Sequence, residues 1–146
     1  MFKRLAIAAV PAVCAIGLAA PAQADGQFIV VAGSDTTHSV ETTTGGTAPG
    51  LGYIEGYAVS RCAERRGASD CHVLAEGQGG CVALSDNGQN FVGAWAPTRQ
   101  AASSAALAMS GVNGAVVDLA HCSSDPGLAA APVRNALPGL TSFWSQ

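Results

Sequence analysis

Two related segments of the sequence each predict a β-hairpin, a helix and a final strand. The clearer copy runs from Cys81 to Cys122, with a cysteine at each end. Residues 30–42 align with residues 81–93 without a gap, so that Ser34-Asp35 falls on Ser85-Asp86. We therefore predict an α+β fold built from a duplicated β-hairpin–helix–strand unit. Its six strands would form a mainly antiparallel sheet with two helices packed against it, in two layers.

The two hairpins differ at their turns. The second has Asn87-Gly88 at its tip, a strong signal for a tight turn because both residues tolerate positive φ. The first has Thr36-Thr37 at the aligned position, so we expect a wider or less regular turn there. The strand that leads into the first turn is predicted at Gln27–Ala32, which is rich in β-branched residues.

Each hairpin continues into a predicted helix and a short apolar strand. Apolar residues share one stripe of each helix: Ile54, Tyr57, Ala58 and Cys62 in the first, and Ala102, Ala105, Ala106 and Met109 in the second. The first helix is predicted within residues 51–66 and ends at Gly67, and Thr98 can cap the second. The final strands are predicted at Cys71–Glu76 and Ala115–Cys122.

Four cysteines follow residue 24: Cys62, Cys71, Cys81 and Cys122. Small exported proteins with an even number of cysteines usually form disulfides, and four cysteines permit three pairings. Cys62 and Cys71 align with a serine and an alanine, so both are missing together from the second copy. We therefore predict a Cys62–Cys71 bond and, by elimination, a Cys81–Cys122 bond. Free or otherwise paired cysteines are the alternative.

The first 24 residues predict a secretory signal peptide. The basic pair Lys3-Arg4 precedes the uncharged apolar run 5–20, and Ala22-Gln23-Ala24 matches a signal peptidase site. We predict cleavage between Ala24 and Asp25, and hence a secreted, extracellular or cell-envelope location. A lipid anchor on Cys14 and a retained membrane anchor are the alternatives.

Cleavage would leave a duplicated α+β domain at residues 25–122 and a tail at residues 123–146 that contains proline and glycine. The tail carries four large apolar residues: Leu137, Leu140, Phe143 and Trp144. They would either dock on the domain or bind a partner. We favour docking, because large exposed apolar patches are uncommon on monomers.

The chain after residue 24 is acidic, with five arginines, no lysine and ten acidic residues, a net charge of −5. Nucleic-acid binding needs clustered positive charge, and binding to an anionic membrane surface uses a basic amphipathic helix. We therefore expect no nucleic-acid partner and no stable membrane span after cleavage.

Several residues, most of them in the second copy, resemble those of a known family. They are Cys81 to Leu84, Gly93, Trp95-Ala96-Pro97-Thr98-Arg99, Ala101-Ala102 and Cys122, with the segment from Cys62 to Val73 in the first copy. This pattern resembles the domain of unknown function 4189, found in small exported bacterial proteins, many of them actinobacterial. The resemblance covers residues 28–122 and implies export and the predicted fold. Family members often carry a further cysteine pair in the second copy, which is absent here, and the family implies no reaction, cofactor or ligand.

The sequence assigns no catalytic, cofactor-binding or metal-binding residue. A metal site would need the histidines His38, His72 and His121 to converge with Asp35 or Asp118, and no spacing requires this. Surface histidines are the simpler interpretation. A nucleophilic cysteine beside a histidine would need a cysteine outside the disulfides.

Two other kinds of site are weighed against simpler explanations. A paired-carboxylate hydrolase would use Asp35 and Asp86, but hydrogen bonds within the turns already explain both residues. An aromatic platform for sugars or a peptide would use four residues: Tyr53, Tyr57, Trp95 and Trp144. The patterning predicts that Tyr57 and Trp95 face the core instead.

Two functions remain as hypotheses. The first is a non-catalytic exported domain that binds a protein or envelope component, including one on a host. The second is a small cell-envelope hydrolase with an unrecognised active site. The absence of convergent polar motifs and the apolar tail favour the binding domain.

Overall fold

The computed structural model describes residues 26–111 and 113–133. The predicted signal peptide and the four large apolar residues of the tail lie outside these ranges. The elements are β1 (Phe28–Ser34), β2 (Ser39–Gly45), α1 (Leu51–Arg66), β3 (His72–Gln78), β4 (Cys81–Asp86), β5 (Phe91–Ala96), α2 (Arg99–Ser110), β6 (Val116–Cys122) and β7 (Ala129–Ala130).

The strands form two sheets, with the orders β3-β1-β2-β7 and β5-β4-β6. In each half, the first hairpin strand is central and pairs antiparallel with its hairpin partner and with the strand after the helix. The predicted α+β class, with two helices and mainly antiparallel pairing, is confirmed. The sequence predicts one sheet in a two-layer domain, whereas the structure has two sheets. Each central strand pairs on both sides with strands of its own half, so the halves do not join into one sheet.

The two sheets face each other, and one helix covers the outer face of each. Val31, Val82 and Leu84 are fully buried between the sheets. On the outer face of the first sheet, Val30 packs against α1, while Ala83 packs against α2 on the second. The molecule therefore has four layers, helix–sheet–sheet–helix, and β1 is buried on both faces as its continuous apolar run requires.

The end of α1 and the start of α2 have the capping that the sequence predicts. α1 has the predicted bounds, and Gly67 takes the left-handed conformation while its N–H donates to the Ala63 carbonyl at 2.9 Å. In α2, the Thr98 hydroxyl accepts a hydrogen bond from the Ala101 N–H at 3.2 Å. The predicted stripe of α2 fails at Met109, which is 65% exposed in the last turn.

Both hairpin loops span four residues, 35–38 and 87–90. The first turn is therefore no wider than the second, and of the two forms of the expectation only the less regular turn is left. His38 takes a positive φ of 47° in the first loop, and Gly88 takes a φ of 85° in the second. Each loop thus has one residue in the left-handed region, which His38 tolerates without being glycine.

The disulfides join Cys62 to Cys71 and Cys81 to Cys122. These are the pairs that the alignment predicts. The first connects the end of α1 to the residue before β3, with Cα atoms 6.1 Å apart. The second joins directly opposite residues of β4 and β6. Each bond lies within one half of the molecule.

The two sheets approach closely where β3 crosses β5. A Cβ atom on Gly93 would lie 2.2 Å from the carbonyl oxygen of Leu74. Trp95 lies over Gly77 and donates from its ring nitrogen to the Gly79 carbonyl at 2.8 Å. Trp95 is 40% exposed. The prediction that it faces the core is wrong. Gly77 has no side chain, so the indole can lie over its backbone and remain partly exposed to solvent.

The folded unit extends beyond the domain boundary predicted at residue 122. Ala129–Ala130 form β7, which pairs parallel with Thr43 and Thr44 of β2. Leu128 packs against the core between the sheets, and Ala131 packs in the core beneath α1. The reason is that β2 has an open outer edge, part of which this segment covers. Within residues 26–111 and 113–133, neither helix is long and apolar enough to cross a membrane.

Candidate functional site

An open groove of about 380 Å³ runs along the outer edge of β2. We call it the edge groove. It is lined by Val40, Glu41, Thr42, Arg61, Arg65, Leu119, His121, Gly127, Leu128 and Ala129. Its volume lies in the range of ligand pockets, about 300 to 1,000 Å³.

The backbone of β2 is uncovered along this groove. β7 pairs only with Thr43 and Thr44, and no other strand among the described residues pairs with the outer edge of β2. The Thr44 carbonyl accepts a hydrogen bond from the Ala131 N–H at 2.8 Å, so it points to this edge. Backbone groups of alternate residues point the same way along a strand, which places those of Val40 and Thr42 on the uncovered edge.

One carboxylate and two guanidinium groups form the wall of the groove on the α1 side. Glu41 is buried, and its Oε1 accepts a hydrogen bond from Arg61 Nε at 2.9 Å. Its Oε2 lies 3.6 Å from a terminal nitrogen of Arg65. Arg61 and Arg65 occupy the same face of α1 because they are four residues apart. The Glu41 charge is thus paired as burial requires.

The two arginines differ in how far their donors are already used. Arg61 is 20% exposed, and it also donates to the Tyr57 hydroxyl at 3.2 Å. The hydrogen bonds to Tyr57 and then to Glu41 outweigh desolvation and hold the pKa of Arg61 above its ordinary value. Arg65 is 59% exposed, and within the described part of the chain its one contact is the longer one to Glu41. With His121 neutral, the groove carries a net charge of +1, on a chain that is acidic as a whole.

Two buried polar atoms of the groove lack a hydrogen-bond partner within the described ranges. They are Thr42 Oγ1 and His121 Nδ1. Buried polar atoms are nearly always satisfied by protein, water or ligand. Leu119 and Leu128, which pack on the core between the sheets, provide an apolar wall beside them. The groove therefore combines a free strand edge, a positive charge and an apolar surface, and two of its lining residues also carry a buried polar atom without a partner among the described residues.

A second open groove, of about 430 Å³, lies on the outer side of α1. Its lining consists of Gly52, Tyr53, Gly56, Tyr57 and Ser60. Two of the four aromatic residues weighed as a platform, Tyr53 and Tyr57, thus line the same groove. Trp95 is not part of this lining, because it belongs to β5 of the second sheet, and Trp144 falls outside the described residues.

The histidines and aspartates singled out in the sequence do not form one site. His38 Nδ1 lies 2.7 Å from the Asp35 carbonyl, while His121 lines the edge groove. Asp35 accepts a hydrogen bond from the Phe91 N–H, and Asp86 accepts one from the N–H of its own turn. Within the described ranges, no three metal-ligating side chains are grouped so that they could hold a metal ion.

Asp70 is the centre of a hydrogen-bond network that the sequence did not indicate. Ser34 donates from its hydroxyl to Asp70 Oδ1 at 2.5 Å, and the Thr36 N–H donates to Oδ2 at 3.1 Å. The bonds from Ser34 and Thr36 lower the pKa of Asp70 to about 2. His72 Nδ1 lies 3.1 Å from the Asp70 carbonyl. Asp70 thus joins the first turn to the start of β3.

The sequence also did not indicate an interaction between two carboxyl groups. Glu55 of α1 and Glu76 of β3 interact where the helix packs on the first sheet. Their hydrogen bond, the burial of Glu76 and the charge of Glu55 raise the pKa of Glu76 above its ordinary value. Neither residue lines the two grooves described above.

No protein-family model, no curated protein and no solved structure matches this chain. The edge groove therefore has to be interpreted from its own geometry. One signal in the sequence could have indicated it: Arg61 and Arg65 share a helix face, and Glu41 is the single charged residue of β2.

Proposed function

We propose that this chain is a non-catalytic exported domain that binds a protein or envelope component, on its own cell or on a host, through the edge groove. The observation that carries the proposal is the uncovered edge of β2 beside the Glu41–Arg61–Arg65 cluster. An unpaired strand edge is a template for association, which proteins usually cover or blunt. Here it lies at the mouth of a groove with both polar and apolar walls, the usual composition of a binding site.

Export is the second part of the proposal. The signal-peptide pattern with cleavage between Ala24 and Asp25 supports it, and so do the two disulfides, since such bonds persist outside the cytoplasm. We also propose membership of the domain of unknown function 4189, on the residues that carry the resemblance. That membership adds no reaction and no ligand.

The binding function is tested with the secreted, ¹⁵N-labelled chain. It is titrated with a pool of linear peptides of random sequence and, separately, with soluble muropeptides. We expect amide shift changes concentrated at residues 40–42, 61–65 and 119–121. Unchanged spectra with both probes contradict the proposal, as do changes that avoid these residues.

A small cell-envelope hydrolase is the second candidate, and the Glu55–Glu76 pair favours it. The hydrogen bond to Glu55 raises the pKa of Glu76, and two adjacent carboxyl groups are an arrangement that serves as general acid and base. Turnover of muropeptides that disappears in Glu76→Gln and persists in the exposed control Glu64→Gln would establish this function. A wild-type chain without turnover rejects it.

A further inference from the structure

We infer that the edge groove takes an extended peptide, which adds to β2 as a further strand and presents an acidic side chain to Arg65. This inference rests on the proposed function and deepens it by naming the class of partner and the binding mode. The edge of β2, the two walls of the groove and the unequal use of the two arginines carry it.

The edge of β2 supplies the main-chain half of the interaction. Val40 and Thr42 each direct one N–H and one carbonyl to the uncovered side. β7 already pairs with the same edge at the next two residues, Thr43 and Thr44. The edge therefore already takes one strand, and an added peptide at Val40 and Thr42 would continue the row of hydrogen bonds that β7 begins.

The walls of the groove supply the side-chain half. Successive side chains of a strand point to opposite faces of its sheet. An added strand would therefore direct alternate residues towards α1, where Arg61 and Arg65 lie, and the others towards Leu119 and Leu128. The matching sequence is an acidic residue with an apolar residue on each side.

The charge pattern places the acidic residue at Arg65. Arg61 already donates hydrogen bonds to Glu41 and to Tyr57, and its side chain is only 20% exposed. Arg65 keeps most of its five N–H donors, because it is 59% exposed and makes one 3.6 Å contact to Glu41. A carboxylate accepts two such donors with good geometry. A second carboxylate facing Glu41 would be repelled, which fixes the register of the peptide.

The test uses the peptide acetyl-Ser-Val-Glu-Val-Thr-amide and the full secreted chain. We expect the matched peptide with glutamine in place of glutamate to bind about tenfold more weakly, the loss of one charged hydrogen bond. Two N-methylated versions examine the main chain: one is methylated at both valines and the other at glutamate. Alternate N–H groups of a strand point to opposite edges. One version should therefore lose at least tenfold in affinity, and the affinity of the other should stay within about twofold of the unmethylated peptide.

The protein variants are Arg65→Ala and the neighbouring control Arg66→Ala, which does not line the groove. Arg65→Ala should weaken the glutamate peptide about tenfold and leave the glutamine peptide unchanged. Arg66→Ala should change neither by more than twofold. Both variants should keep the thermal unfolding midpoint of the wild type, since Glu41 retains its closer partner, Arg61.

The outcomes separate this inference from the proposed function. If the amide shift changes in the groove are the same with the N-methylated peptides or with the glutamine peptide, the chain is still a binding domain but strand addition is wrong. Binding of muropeptides without any binding of peptides leads to the same conclusion. If shortening the chain after Val133 strengthens peptide binding more than tenfold, residues 134–146 occupy the groove and the inference is wrong. Spectra that no probe changes overturn both.

Discussion

Ser34 and Ser85 occupy aligned positions of the two halves, yet they bond to different partners. Ser34 donates to the side chain of Asp70, whereas Ser85 donates to the Ala106 carbonyl of α2 at 2.8 Å. Both serines are fully buried, so each needs a partner, and the partner depends on what the fold brings near. A residue pattern can predict that such a serine ends a strand. It cannot predict a partner that lies 36 residues away.

The Asp70 network predicts an acid-dependent loss of stability. The pKa of Asp70 is lowered from 3.8 to about 2 in the folded chain, so folding favours the ionised form. Its contribution is therefore complete above pH 3.8 and is lost as the pH falls from 3.8 towards 2. We expect Asp70→Asn to lower the urea midpoint at pH 7, and the difference from wild type to shrink below pH 3.

The matched control for this prediction is Asp118→Asn, which changes an exposed aspartate of β6. Its urea midpoint should follow the wild type at every pH. Urea unfolding followed by circular dichroism between pH 2 and pH 7 measures all three proteins. A constant gap between Asp70→Asn and wild type over that range would show that the carboxylate charge plays no part.

At the scale of elements, β2 shows why burial is hard to predict from a polar sequence. Its three consecutive threonines favour a strand but offer nothing large to bury, and the sequence therefore indicates a weak strand. In the structure, Thr43 is fully buried and its neighbours Thr42 and Thr44 are nearly so. The cause is tertiary, because α1 covers one face of β2 and the second sheet approaches the other. The helix bounds, which depend on local periodicity and capping, were predictable.

Two glycines in different surroundings predict opposite effects of substitution by alanine. Gly93 lies where β3 crosses β5, and Gly56 lies on the open side of α1. Gly93→Ala would force a Cβ atom against the backbone of Leu74, which can move only with β3 itself, and should cost about 1 to 3 kcal/mol. Gly56→Ala, on the open side of α1, should stabilise by about 0.5 to 1 kcal/mol. Thermal unfolding of both variants measures the contrast. A Gly93→Ala chain as stable as wild type would mean that the sheets can separate there at no cost.

For the whole molecule, the aligned halves predict the content of each half but not how the halves meet. Strand patterning indicates one buried face, and this is equally compatible with one wide sheet or with two stacked sheets. The choice depends on contacts between residues far apart in sequence, such as Val31 with Val82 and Leu84. The sequence could indicate the charged residues of the edge groove but not the groove itself, since its walls come from β2, α1, β6 and the segment before β7.

The disulfides predict an unequal loss of stability when they are removed in pairs. The Cys62–Cys71 bond closes a separation of 9 residues and the Cys81–Cys122 bond one of 41. By loop-closure entropy, the two double alanine variants should lose about 3 and about 4 kcal/mol respectively. Guanidinium unfolding of the oxidised proteins measures both. A larger loss from the shorter loop would show that packing around the buried Cys62, and not chain entropy, sets the cost.

Because each disulfide closes within its own half, no sulfur bridge of the described chain crosses the plane between the sheets. An oxidised chain that has lost all its secondary structure still contains two disulfide-closed rings. A short linker that includes Gly79 and Gly80 connects them. Each ring already brings together the strands or helix end that it must align. Renaturation must still bring β1 and β2, which lie outside both rings, into register with β3 and β7 before the two sheets can pack on each other.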